Sequence, residues 1–229
     1  REGSLELRAT GLWADHHCET PLDHWSLALE AFAVSLDDPT DAYRGMIGHR
    51  IPLGLDLEWE TDGNVFAYPP GLDHYAVPCR VHGEVLVGQE RLQLEGFGHR
   101  EHSWGVRDWW ALGWCWSAFR LDGGERVHLV VSTGLAQAVG CWQSPDGDCE
   151  LLLEGTVRLS GDVGGLPGRM EFATTGRVFT VEPLAWAPVL LTGPDGQVAR
   201  LARAMARFGY EDRVGLGWVE LNQPGPPMH

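Results

Sequence analysis

The chain contains no lysine. All seventeen of its basic side chains are Arg, set against 32 Asp and Glu, for a formal net charge of −15. That balance repels nucleic-acid phosphates and anionic lipid surfaces, so neither is expected as a partner. No apolar run approaches the roughly 18–20 residues that a membrane span needs, and no span is expected. An Arg-led apolar stretch with a small-residue cleavage site is also missing at the start. The expectation is therefore a chain without a secretory leader, located in the cytoplasm. Cysteine is scarce: five residues at 18, 79, 115, 141 and 149, with no C-x-x-C pair, which excludes a zinc ribbon or a thioredoxin-like site. Cys141 and Cys149 flank the turn Ser144-Pro145-Asp146-Gly147 and could face each other. A reduced pair of small apolar side chains is the expectation in a cytosolic setting. There is no G-x-S-x-G nucleophile elbow. The Gly-rich stretch 161–168 lacks the Gly-Lys-Ser/Thr ending of a phosphate loop, and no dinucleotide fingerprint occurs, so no cofactor is expected.

What the sequence has in plenty is turns. Thirty Gly and fourteen Pro punctuate it. Thr61-Asp62-Gly63-Asn64, Asp122-Gly123-Gly124, Ser144-Pro145-Asp146-Gly147 and Gly193-Pro194-Asp195-Gly196 each separate short apolar segments. That spacing reads as an antiparallel all-β protein. Leu55, Leu57 and Trp59 alternate with Asp56, Glu58 and Glu60, the period of two of a half-buried strand. Residues 127–131 follow the Asp-Gly-Gly turn and should pair with 114–120 as a hairpin. Residues 25–36 and 198–208 carry helix-forming side chains. The second stretch also alternates Arg203, Met205 and Arg207 against Ala202, Ala204 and Ala206. Strand is the reading for both, because the surroundings are all-β. The domains are expected at 1–95 and 96–222, with a Pro-rich tail over 223–229.

Eleven Trp are present, and Trp104, Trp109, Trp110, Trp114 and Trp116 fall within thirteen positions. Such clustering reads either as an aromatic core or as the lining for a flat or extended apolar ligand. Beside these indoles runs His99-Arg100-Glu101-His102-Ser103-Trp104-Gly105-Val106-Arg107-Asp108. On a strand Arg100, His102 and Trp104 share one face, and His99, Glu101 and Ser103 share the other. His102 beside an indole and an Arg is a candidate for proton transfer or ligand orientation. The bland alternative is an ion-pair network between strands. A metal set from His99, Glu101 and His102, or from Asp15, His16 and His17, is disfavoured because neighbouring ligands would face opposite ways, and no metal is expected.

The string from Gly98 to Gly105 resembles the acid-His-x-Trp-Gly motif of the lipocalin-like superfamily that includes carotenoid 1,2-hydratase and related Diels–Alderases. The likeness is greatest to an uncharacterised bacterial branch, and extends to Glu19-Thr20-Pro21 through Trp25, to 102–109, and to Gly215-Leu216-Gly217-Trp218-Val219-Glu220. The resemblance implies two lipocalin-like antiparallel barrels, the second partial at need, with few short helices and a pocket for a hydrophobic ligand near their junction. It matches His102 and Trp104 to pocket-lining residues of the hydratase. The hydratase's Tyr and Asp have no counterpart on the strand expected at 127–133, which offers His128, Ser132 and Thr133.

Protonating an alkene requires a carboxylic acid kept neutral, which burial among indoles favours. Asp108 and Glu220 are the candidate acids beside His102. Arg100, Trp104, Arg107, Trp109, Trp114, Trp116 and Trp218 are the candidate ligand-binding set. The expected function is a protein enclosing a terpenoid, polyketide or lipid-like molecule, with acid-assisted addition, isomerisation or cyclisation as its chemistry. The rivals are a non-catalytic lipid or sterol binder and a domain that works through a protein partner. A homodimer is compatible with either.

Overall fold

The computed structural model describes residues 3–106 and 108–225. The described residues are all-β, with two antiparallel sheets and one 3-10 turn over Pro39–Tyr43 among them. The chain divides into two compact units: residues 1–37, 47–67 and 75–102 form unit 1, and residues 38–46, 68–74 and 103–229 form unit 2.

The sheet of unit 1 is built from β1 (Ser4–Ala9), β2 (Leu12–Thr20), β3 (His24–Ser35), β4 (His49–Thr61), β5 (Phe66–Ala67), β6 (His74–Val87) and β7 (Glu90–Ser103). The order is β1-β2-β3-β4-β6-β5, with β7 also paired to β6. Register carries the sequence alternation across the sheet. Leu7 lies opposite Ala14, Ala14 opposite Leu29, Leu29 opposite Leu55 and Leu55 opposite Val85. One face is therefore apolar from edge to edge, and the other carries Glu30, Asp56, Glu58 and Glu84. Among the described residues Leu57, Val77, Cys79 and Val81 form the buried cluster on the apolar face. Leu27, Leu29, Leu53, Leu55, Val85 and Val87 remain half-buried.

The sheet of unit 2 comprises β8 (Trp114–Leu121), β9 (Arg126–Ser132), β10 (Ala138–Gln143), β11 (Cys149–Leu152), β12 (Gly155–Val163), β13 (Leu166–Thr174), β14 (Arg177–Trp186), β15 (Val189–Thr192), β16 (Val198–Tyr210) and β17 (Arg213–Gly225). Its order is β11-β10-β9-β8-β17-β16-β14-β13-β12, with β15 on β16, and it curls into a half-barrel that brings β12 against β9. The inside of the curl is filled. Phe119 stacks on Phe208 at 4.0 Å and meets Phe179 edge-on at 5.4 Å, and Trp142 closes on Tyr210 at 5.2 Å. Phe172, Phe179 and Phe208 are fully buried, and each stabilises by about 1.5–3 kcal/mol through area removed from water.

Both stretches with helix-forming side chains are strands, β3 and β16. In β16 the small and apolar Ala202, Ala204, Ala206 and Phe208 all face the core, while Arg203, Met205 and Arg207 face away. A helix would scatter them, so tertiary burial overrides propensity. The expected 114–120 with 127–131 hairpin is β8–β9, with Trp116 opposite Val130 and Ala118 opposite His128. The expected reduced pair is corrected: Cys141 and Cys149 form a disulfide across the β10–β11 hairpin. The turn at 144–148 brings their Cα atoms to 6.1 Å, within bridging reach.

Candidate functional site

The strand alternation expected for Arg100 and His102 is present in β7, but the strand ends at Ser103, so Trp104, expected on the same face, lies past it. Gly98 packs on Trp59 and Val81, the Arg100 guanidinium lies 5.4 Å over the ring of Trp25, and His102 meets Tyr75 edge-on at 5.4 Å. These three residues, with Leu92 and Leu94 further back on the strand, share the parity that faces the apolar side of the unit 1 sheet. Gln93 has the opposite parity and bonds Glu84 on the polar side. His99 does likewise, with its Nε2 3.9 Å from Glu101. Gly98 is required there: a Cβ would lie 2.5 Å from the Trp59 ring and 2.6 Å from Val81.

The buried polar atoms near Arg100 that lack a partner are donors. Trp25 and Trp59 are a directly opposed cross-strand pair, with Cβ atoms about 5 Å apart. Their indole Nε1 atoms, together with Nε and Nη2 of Arg100, are buried and meet no hydrogen-bond acceptor among the described residues. The thiol of Cys79 lies on the same face; burial pushes its pKa up, and a hydrogen bond from the Arg100 side chain, followed by the Arg100 charge, opposes the shift. His102 sits at the exposed end of this array.

The other sequence-predicted residues lie in unit 2. Trp114, Trp116, Trp218 and Glu220 are on the face of the half-barrel sheet opposite its core, since their neighbours Cys115, Val219 and Leu221 face inward. Glu220 pairs with Nε of Arg203 at 2.7 Å, and the Arg203 guanidinium lies 5.6 Å from the Trp218 ring. Trp109 and Trp114 have ring centroids 5.7 Å apart. Trp104 is 52% exposed, and the Asp108 carboxylate accepts the backbone N–H groups of Trp110 and Ala111, a turn-closing role. Arg107 lies outside the described residues. Burial and the Glu220 charge push the Cys115 thiol far up, which keeps it a packing residue.

One unit 2 cluster escaped the sequence reading. The Tyr68 hydroxyl is hydrogen-bonded to Nε2 of His128, Tyr68 stacks on His74 at 4.0 Å, and Trp116 lies 5.5 Å from His128. The turn at Pro69-Pro70-Gly71 brings Tyr68 and His74 together, with Tyr68 N–H donating to His74 C=O. The signal was His128 itself, a polar residue at a non-core position between Val127 and Leu129, but nothing linear connects it to residue 68. A shallow cleft of about 380 Å³ also opens in unit 2, lined by Gly113, Thr133, Leu159 and Gln223.

The fold class these features define is all-β, with two antiparallel sheets of which one is a curled half-barrel. Among solved structures the chain is similar to the candidate AttH (NE1406) of Nitrosomonas europaea, at 14% identity and a TM-score of 0.56, over 92% of this chain and 86% of that one. A likeness at that identity shows a shared fold. CghA is more distant, at 11% identity and a TM-score of 0.48, over 96% of this chain and 86% of that one, and adds no argument. The chain belongs to the DUF7064 family, described as a domain of unknown function, which matches residues 2–225. No curated protein matches it. No helix of the described residues is long and apolar enough to cross a membrane.

Proposed function

We propose that the protein binds a hydrophobic small molecule on the apolar face of the unit 1 sheet, with the Arg100–His102 end of β7 holding its polar part. The observation that carries this reading is the fill of that face. Leu27, Leu29, Leu53, Leu55, Val85 and Val87 line contiguous strands and stay half-buried. A wide apolar surface left short of full burial is the usual mark of a ligand site.

Saturable binding of the neutral fluorophore N-phenyl-1-naphthylamine, with enhanced emission, is the expected result, and wild-type protein that leaves its emission unchanged would end the proposal. A catalytic form of the same reading rests on His102, whose imidazole stands beside Tyr75 at the exposed end of the array. It has His102 orient the ligand or pass a proton to it during an addition, isomerisation or cyclisation. A terpenoid or lipid-like ligand recovered chemically altered from wild type, but intact from His102→Ala, separates this form from a lipid or sterol carrier.

A further inference from the structure

The buried polar atoms on the inner face around Arg100 share one deficit. Two indole N–H groups and two guanidinium nitrogens are out of water and have no acceptor from the described residues. Buried polar groups are nearly always satisfied, and a guanidinium held against apolar and indole surface is costly until it meets an anion. Because every orphan here is a donor, the missing partner is an acceptor. Arg100 is the cation of the set, so one negative charge balances it. A planar monoanion suits the guanidinium fork, whereas a phosphate dianion would leave surplus charge.

We propose that Trp25, Trp59 and Arg100 form an anion site that seats the carboxylate of a long-chain amphiphile, whose tail runs along β7 toward Leu94 and Leu92 over Leu29, Leu55 and Val85. The site rests on the apolar-ligand reading above and names the ligand class for it. At about 3.3 Å per residue, the run from Arg100 back to Leu92 is roughly 26 Å long, room for an extended acyl chain. Gly96 and Gly98 carry no side chains on that path, so the strand presents bare backbone between head and tail. The Asp62 charge is felt at the Cys79 thiol through space, and neither Nε nor Nη2 of Arg100 bonds to it. The acidic opposite face of the sheet, with Asp56, Glu58 and Glu84, repels an anionic head and favours the donor-lined face instead.

The test compares two fluorescent probes that differ only in the head: cis-parinaric acid and its methyl ester. Wild type should bind the acid at least about ten-fold more tightly than the ester near neutral pH. Arg100→Met should bring the ratio of acid to ester affinity, both measured on the variant, down to about one, and Arg100→Lys should keep a reduced preference. Trp25→Phe with Trp59→Phe should narrow the preference by a smaller factor. Equal binding of acid and ester by wild type overturns the anion site while the apolar reading stands. Failure of both probes to bind overturns both. Should Arg100→Met not fold, the wild-type ratio and Arg100→Lys decide the matter.

Discussion

The two sheets apply the same alternation to different materials. In unit 2 the curl of β8–β17 closes on Phe119, Trp142, Phe172, Phe179, Phe208 and Tyr210, rings wide enough to reach one another and fill the interior. In unit 1 the inward positions away from Trp25, Trp59 and Tyr75 are mostly Leu, Val and Ala, and the buried cluster among the described residues shrinks to Leu57, Val77, Cys79 and Val81. Shorter side chains on a seven-stranded sheet, against the ten strands of the other, leave an apolar face only half-buried. Aromatic supply, more than strand pattern, separates a sheet that is a finished core from one that offers a surface.

That contrast is sharpest under truncation. Phe208→Ala, at a fully buried position stacked on Phe119, should destabilise by about 3–5 kcal/mol in denaturant melts. Opening the Cys141–Cys149 bridge with Cys141→Ser should cost about 2–3 kcal/mol for closure of a loop this short, read as a lowered Tm that matches wild type under reductant. Leu29→Ala in unit 1, half-buried, should cost only about 1 kcal/mol yet weaken N-phenyl-1-naphthylamine binding several-fold. A Leu29→Ala loss as large as that of Phe208→Ala would erase the distinction between the sheets.

The smallest effect is electrostatic. The Arg177 guanidinium bonds both oxygens of Glu150 and holds its carboxyl below the ordinary glutamate value. A depressed carboxyl contributes stability above its unfolded pKa, and that contribution is lost as pH falls through the lower folded value. Acid titration should therefore loosen the hairpin at Glu150 only below about pH 4.5, by a small amount given its exposure. Glu150→Gln should flatten that acid limb of the melting curve, and an unchanged limb would remove Glu150 from the account.

Much of the fold was legible in the line of residues. The alternation at 55–60, the Asp-Gly-Gly turn before β9 and the Ala/Arg alternation of β16 all state period-two strands, and the structure has them. The shared parity of Arg100 and His102 was equally readable. Their Trp neighbours were not, because Trp25 meets Arg100 and Trp59 meets Gly98 only through the pairing of β3 with β4 and the close pass of β7. The run of Trp at 104–116 drew attention away from those two, since density along the chain is easier to see than proximity in space. Tyr68 and His128 are sixty positions apart and meet through one Pro-Pro-Gly turn.

Local chemistry by itself determined the all-β class, the turns and the side each strand residue takes, because Gly, Pro and alternation act over a few residues. Tertiary structure alone decided that Cys141 bonds Cys149, that the interior of unit 2 is solid, and that two buried indole donors share a sheet face with Arg100. Each of these depends on which strands become neighbours and how far their side chains reach, quantities that pairing and packing set across long separations in the chain.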